Sequence, residues 1–463
     1  MTLKSFKTPY VKPIRKIVLF SASLLLAAVS LLGPTRWCAE ATGFNRRPVE
    51  TENSMPALQG AAAITYLKEY KLYDSLRAAL KVAHTQRDNK SVQFMEEQKL
   101  TASDGAFNDI FGDSVAVSGS TIVVGARGDD NLRGAAYVFE RHGGSWVETQ
   151  KLTASDGIAG DQFSDSVALS GSTIVVGAPV VTIDNNFGQG AAYIFERHGG
   201  SWVETQKLIG SGGSVFDFFG KSVAVSGSTI VAGAPNRRAY VFNHQGGSWV
   251  ETQKLTASDP TANDLFALSV AVSGSTIVVG APFDDIGSNL NQGSAYVFKH
   301  QDGSWVETQK LTASDAAEND LFFGISVAVS GSTVVVGASF DTVGGNLFQG
   351  AVYVFDRQDR SWIETQKLTA SDAVVGALFG QSVAFSGSTI VVGAPSDRGQ
   401  GSAYVFGRQG GSWVEMQKLT SSDGLGGDFG TSVAVSGSTV VVGAPSASVG
   451  SNIFQGAAYV FEP

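Results

Sequence analysis

The chain of 463 residues carries 33 Lys and Arg against 42 Asp and Glu, with 43% apolar residues, 55 Gly and only 16% charged residues. Such a composition describes a folded, turn-rich protein and excludes a disordered one. A formal net charge of −9 argues against nucleic acid and anionic membranes as partners.

Lys4, Lys7, Lys12, Arg15 and Lys16 precede the apolar run 17–32, and Ala39-Glu40-Ala41 follows as a small-x-small site. That order of basic, apolar and small segments predicts a secretory signal peptide over residues 1–41, hence a secreted or cell-surface protein with no stable membrane span after cleavage. Its removal takes away six basic residues and one acidic residue, so the formal charge of −9 becomes −14. Cys38 is the only cysteine and leaves with the signal, which excludes disulfides and thiol chemistry in the exported part.

Residues 42–90 read as a linker. Within it "AAAITYLKEYKLYDSLRAALKVAH", 61–84, places Ile64, Leu67, Leu72, Leu76 and Leu80 near one face and predicts an amphipathic helix.

From residue 91 the chain is one repeat. Gln-Lys-Leu recurs at 98, 150, 206, 253, 309, 366 and 417. The first copy contains four strand-like runs, "SVAVSG" (114–119), "TIVVGA" (121–126), "AAYVFER" (135–141) and "WVETQKL" (146–152). A four-stranded sheet apolar on both faces cannot stand alone in water, so the copies stack radially. The expected fold is all-β, a seven-bladed propeller of four-stranded antiparallel blades over 91–463. The last copy stops after its third strand, "AAYVFEP", while "FMEEQKL" at 94–100 stands alone before the first, with Phe94 in the Trp position. The N-terminal strand should therefore complete blade seven and close the ring. Recurrent Trp146, Trp202, Trp249, Trp305, Trp362 and Trp413, and a Tyr in every third strand, read as packing between blades.

Phe-Gly leads into the first strand at 111, 219, 323, 379 and 429, and Gly-Ala-Pro ends the second at 177, 233, 280, 393 and 443. With these motifs in register, 91–463 resembles the FG-GAP repeat family, whose best-known members are the seven-bladed propellers of integrin alpha subunits. The resemblance implies an extracellular, non-enzymatic adhesion or recognition module, and it also implies calcium, held by an Asp-rich loop between the first and second strands. Here every copy has Ser-Gly-Ser-Thr in that place, which supplies no carboxylate, so the integrin-type calcium site is absent from all seven copies.

Antiparallel order puts loops 1-2 and 3-4 on one rim and loops 2-3 and 4-1 on the other. The first rim is monotonous; the second holds nearly all the length variation, and recognition of an extracellular protein or glycan is expected there. Arg127, Gly128, Asp129, Asp130, Asp184, Asp284, Asp285, Asp341 and Asp397 are its candidate contact residues. The first three spell the tripeptide that integrin-class receptors read, at the start of a 2-3 loop where exposure is expected. Arg127 also stands where five sister copies have Pro, so the tripeptide reads first as a by-product of the repeat.

The same rim receives the pairs Asp104/Asp109, Asp156/Asp161, Asp259/Asp264, Asp315/Asp320 and Asp423/Asp428, with Asp217 and Asp372 single. Such pairs could hold a cation such as calcium if backbone carbonyls add oxygens, or could accept N–H groups of their own turns. His142, His198, His244 and His300 lie in the 3-4 turns, at the blade end away from these carboxylates, which argues against acid–base catalysis. Two alternatives stand beside adhesion: an exported lectin- or glycan-processing propeller with rim carboxylates as acid and base, and a structural surface repeat protein.

Overall fold

The computed structural model describes residues 93–463 except 236–237, 262, 316–321 and 373. The signal peptide and the 61–84 helix therefore lie outside the described residues.

Among the described residues, 28 strands form seven four-stranded antiparallel sheets. Six follow chain order over 111–152, 166–208, 222–255, 269–311, 323–368 and 382–419. First strands of neighbouring blades lie closest together and line the axis. The seventh sheet combines Ser432–Ser436, Thr439–Ala444 and Ala457–Glu462 with Met95–Leu100, which pairs Met95 opposite Glu462 and Leu100 opposite Ala458. The expected propeller and its closure by the N-terminal strand are both present.

The local reasons are legible in each copy. "TIVVGA" is a central strand buried on both faces, so it is apolar after its opening Thr and rich in β-branched residues. Ser-Gly-Ser-Thr makes a two-residue hairpin in which Gly119 takes φ +56°, a conformation glycine adopts freely. A bulge between Val138 and Phe139 offsets the third and fourth strands, and it recurs in the other five uninterrupted blades. It adds twist to the outermost strand.

The core consists of layers, one at each of the seven junctions between blades. The layer joining blades seven and one gathers Val441, Ala458 and Val460 with Ile122, Tyr137, Phe139 and Trp146. The layer between blades six and seven takes Phe94 where its sisters take Trp. The aromatic repeat is thus inter-blade packing. Each Phe of Phe-Gly, or of its variants Phe163-Ser164 and Phe266-Ala267, also meets the third-strand Tyr, ring centroids 5.2–5.5 Å apart.

Two rings of polar contacts tie the outer strands together. Gln150 of Gln-Lys-Leu grips the backbone of Trp202 in the next blade: its Nε2 donates to the Trp202 carbonyl at 2.7 Å and its Oε1 accepts the Trp202 N–H at 2.8 Å. The same clamp recurs around the circle and closes with Gln417 on Phe94. Below it, Glu204 accepts both the N–H and the hydroxyl of Ser155 from the preceding blade, and Glu96 does the same for Ser422 across the closure.

Candidate binding rim

The 2-3 and 4-1 loops meet at one rim and are hydrogen bonded to each other across the junctions. Phe111 donates its N–H to the Gln455 carbonyl at 2.9 Å, Phe219 to Gln189 at 2.9 Å and Phe379 to Gln349 at 2.9 Å. Each such ledge joins the 2-3 loop of one blade to the 4-1 loop entering the next.

The two aspartates of each Asp-x₄-Asp pair do different jobs. The first is a latch: Asp104 accepts from the Tyr137 hydroxyl at 2.7 Å and from Lys151 Nζ at 2.7 Å. Asp156, Asp259, Asp315 and the single Asp372 repeat this with the Tyr and Lys of their own blades, and Asp423 does so with Tyr459 and Lys99. The second is an N–H acceptor within its own turn. Asp161, Asp217 and Asp264 take the N–H three residues back at 2.7–2.8 Å, and Asp109 takes that of Ala106. Asp428 instead accepts from the Ser446 hydroxyl at 2.5 Å. Asp320 lies outside the described residues.

In four blades the latch gains a second carboxylate from the 2-3 loop. Lys310 Nζ lies 2.8 Å from Asp259 and 2.7 Å from Asp284, and Lys367 lies 2.7 Å from Asp315 and 2.8 Å from Asp341. Lys151 bridges Asp104 and Asp129, and Lys418 bridges Asp372 and Asp397. An ammonium therefore already stands between the carboxylates that a cation would need. Calcium wants six to eight oxygens without a competing positive charge, and these residues do not fit it. Among the described residues no three His, Cys, Asp or Glu side chains gather closely enough to hold a metal ion.

Expected exposure of the rim candidates holds for some and fails for others. Asp130, Asp184 and Asp285 are exposed; Asp130 pairs with Arg133 at 3.1 Å and Asp285 accepts the Asn291 N–H at 2.8 Å. Asp284, Asp341 and Asp397 are 1% exposed and Asp129 is 8% exposed, each turned inward onto the latch. Gly128 is buried as well, and a Cβ there would stand 2.0 Å from the Asn108 carbonyl oxygen. Arg127 Nε lies 2.6 Å from Asp113, an ion pair rather than an aligned hydrogen bond, and its guanidinium reaches Asp165 at 3.5 Å. All three residues of Arg-Gly-Asp are engaged within the protein. The 2-3 loop has to dock on its own blade, and its first residues make that contact.

Asp113, Asp165 and Lys221 went unnoticed in the sequence. They follow Phe-Gly or Phe-Ser directly, at the rim end of the innermost strand. Lys221 pairs with Asp165 at 2.8 Å. Beside them Pro179, Phe218, Lys221, Pro235, Leu265 and Leu268 line a groove of about 310 Å³. The position after Phe-Gly was the available signal: it is charged in blades one to three and Leu268, Ile325, Gln381 and Thr431 thereafter.

The carboxylates divide by environment. At Asp104, Asp156, Asp259, Asp315 and Asp372 burial opposes the charge, yet the Lys ammonium and the Tyr hydroxyl outweigh it and hold the group below its ordinary value. Asp423 is likewise low, through Lys99, the Leu425 N–H and Tyr459. At Asp109, Asp161 and Asp113 burial wins and raises the group. A lowered carboxyl stabilises the fold above its unfolded value of 3.8 and loses that contribution as pH falls through the folded value. A raised one favours folding at lower pH, and its contribution fades as pH rises through the folded value. The melting temperature should therefore peak in mild acid and drop below about pH 4, where six lowered aspartates outnumber three raised ones. Calorimetry between about pH 3 and pH 7 checks this; a melting temperature still climbing below pH 4 refutes it.

Large apolar side chains are exposed selectively. Among the described residues they occur on the outer face of the fourth strands and on this rim, with none on the Ser-Gly-Ser-Thr rim. Phe107, Phe187, Leu290, Leu347, Ile453 and Phe454 stand out on the ledges.

A closed ring of seven blades with its variable loops gathered on one rim is a propeller scaffold of the binding or recognition class. Residues 94–139, 146–195, 202–248, 249–298, 305–355, 362–406 and 413–461 each match the FG-GAP repeat, and the chain belongs to the FG-GAP repeat family. No curated protein matches the chain.

Proposed function

We propose that the protein is an exported, non-enzymatic recognition module that takes an extracellular protein partner on the rim formed by its 2-3 and 4-1 loops. One observation carries the reading: exposed Phe, Leu and Ile side chains crowd this rim and are absent among the described residues of the opposite one. Aromatic and aliphatic anchors rimmed by polar groups are the composition of protein interfaces. Export rests on the basic, apolar and small order of residues 1–41. The non-enzymatic part is supported by the carboxylates themselves. The latch aspartates are spent on Lys and Tyr, Asp109, Asp161, Asp217 and Asp264 on backbone N–H groups, and Asp113 and Asp165 are paired with Arg127 and Lys221.

The test is a panel of purified extracellular proteins and a glycan array, probed with the full chain. A protein captured by the parent should be lost by the triple variant Leu290→Ser, Leu347→Ser, Ile453→Ser. The opposite-rim variant His142→Ser, His198→Ser should retain it. Equal capture by both variants, or binding to glycans alone, sinks the reading.

A further inference from the structure

At the Ser-Gly-Ser-Thr end of the blades, an acidic side chain meets a basic one across four junctions. The residue after Phe in the third strand is acidic in blades one, two, five and seven, and the next residue in the following blade is basic. Arg141 pairs with Glu462, Arg197 with Glu140 at 2.9 Å, His244 with Glu196 at 3.9 Å and Arg408 with Asp356 at 3.2 Å. Between blades four and five the pattern inverts. Lys299 stands in the acidic position, so Arg357 meets a cation.

A second departure falls at the same place. The five other 3-4 turns have Gly144, Gly200, Gly247, Gly303 and Gly411 before the Ser that opens the fourth strand; blade five has Arg360. Lys299, Gln301, Thr308, Arg357, Arg360 and Trp362 line a groove of about 520 Å³. Lys299 is 9% exposed, donates to Thr276 Oγ1 and holds its ammonium 5.6 Å from the Trp362 ring centroid. Burial, and then Arg357, hold its pKa below the usual lysine value.

Among the described residues no carboxylate lines the groove. Asp356 is turned to Arg408, Thr333 and Thr365, and Glu307 is taken by Ser258. Asp302 and Asp359 sit exposed at the tips of the two turns. Three cations with a hydroxyl and an amide thus converge on one concavity of a chain whose net charge is −9. Two guanidinium forks suit the paired oxygens of a tetrahedral anion.

We propose that this groove binds a compact oxyanion, a sulfate or phosphate group, free or pendent on a polysaccharide. It lies at the opposite end of the blades from the apolar ledges and stands independently of the function proposed above.

Calorimetric titration of the full chain at low ionic strength tests it, with sodium sulfate, sodium phosphate, dextran sulfate and neutral dextran as probes. Lys299→Glu and Arg360→Gly restore the sister residues, so both variants should fold. Each should weaken sulfate or phosphate binding about tenfold or more, as expected for losing one charge-assisted contact. Asp359→Asn should bind at least as well as the parent. Binding of free sulfate or phosphate that both variants weaken identifies the free ion as sufficient. Binding of dextran sulfate alone, weakened by both variants, identifies the pendent group as the source. No binding of any anionic probe, equal binding of neutral dextran, or affinity unchanged in both variants overturns the proposal.

Discussion

Deleting residues 91–100 should abolish the cooperative melt of the propeller, or lower its midpoint by well over about 10 °C. The deletion removes Met95–Leu100 from the seventh sheet and uncovers the backbone of Ala457–Glu462. It also takes Phe94 and Leu100 out of two inter-blade layers, unclamps Gln417, and strips Ser422 and Asp423 of Glu96 and Lys99. Truncating a buried Phe or Leu costs about 2–5 kcal/mol, and each hydrogen bond lost at a covered edge adds about 1 kcal/mol. The total is on the order of 10 kcal/mol, comparable with the whole stability of an ordinary domain. The uncovered strand edge should also promote association. Differential scanning calorimetry checks the melt, and adding a peptide of residues 91–100 in trans should restore part of it. Phe94→Trp, which installs the residue of the six sister blades, should leave the midpoint unchanged or higher. A deletion variant that melts like the parent would mean that the ring does not depend on its seventh outer strand.

The fold was legible because each blade repeats the same local decisions. Apolar strand-like runs, Gly-first hairpins, a spare fourth strand before the first copy and a missing one after the last leave little choice but a closed ring. What Gln-Lys-Leu does was not legible. Its Gln grips a backbone in the next blade and its Lys a carboxylate at the rim of its own, and neither distance appears in a linear spacing. The Asp pairs misled for a related reason. As sequence they look like two ligands of one cation, but the turn points Asp109 at its own N–H groups while Asp104 reaches Tyr137 and Lys151. The buried 2-3 loop aspartates were mistaken for surface groups because loop residues usually face water. Comparing the copies position by position does better than reading motifs: Asp129, Asp284, Asp341 and Asp397 align with Val181 and Ala447, and alternation with Val and Ala marks a buried site.

The glycine of Gly-Ala-Pro offers the sharpest single-residue test of how tightly the blades approach. Gly177 lies at the outer end of a second strand, and its φ is outside the left-handed region, so backbone conformation alone does not demand glycine. The neighbouring blade does. A Cβ on Gly177 would stand 1.9 Å from the Gly220 carbonyl oxygen, and the same clash meets Gly233, Gly280, Gly337, Gly393 and Gly443 at 1.9–2.2 Å. That carbonyl also accepts the Ser166 hydroxyl at 2.8 Å, so it is held from both sides. Gly177→Ala must therefore push two rigid sheets apart, opening an apolar layer and breaking the Ser166 contact, and overpacking of this kind costs about 1–3 kcal/mol or more. With the hydrogen bond included, a loss of about 3 kcal/mol or more is expected. Gly143→Ala is the matched control: nothing lies within 4 Å of its Cβ, and only its φ of +58° disfavours alanine, at about 1 kcal/mol. Urea unfolding of both variants should place Gly177→Ala well below Gly143→Ala. The reverse order would mean that the turns, and not the contacts between blades, are what glycine serves in this repeat.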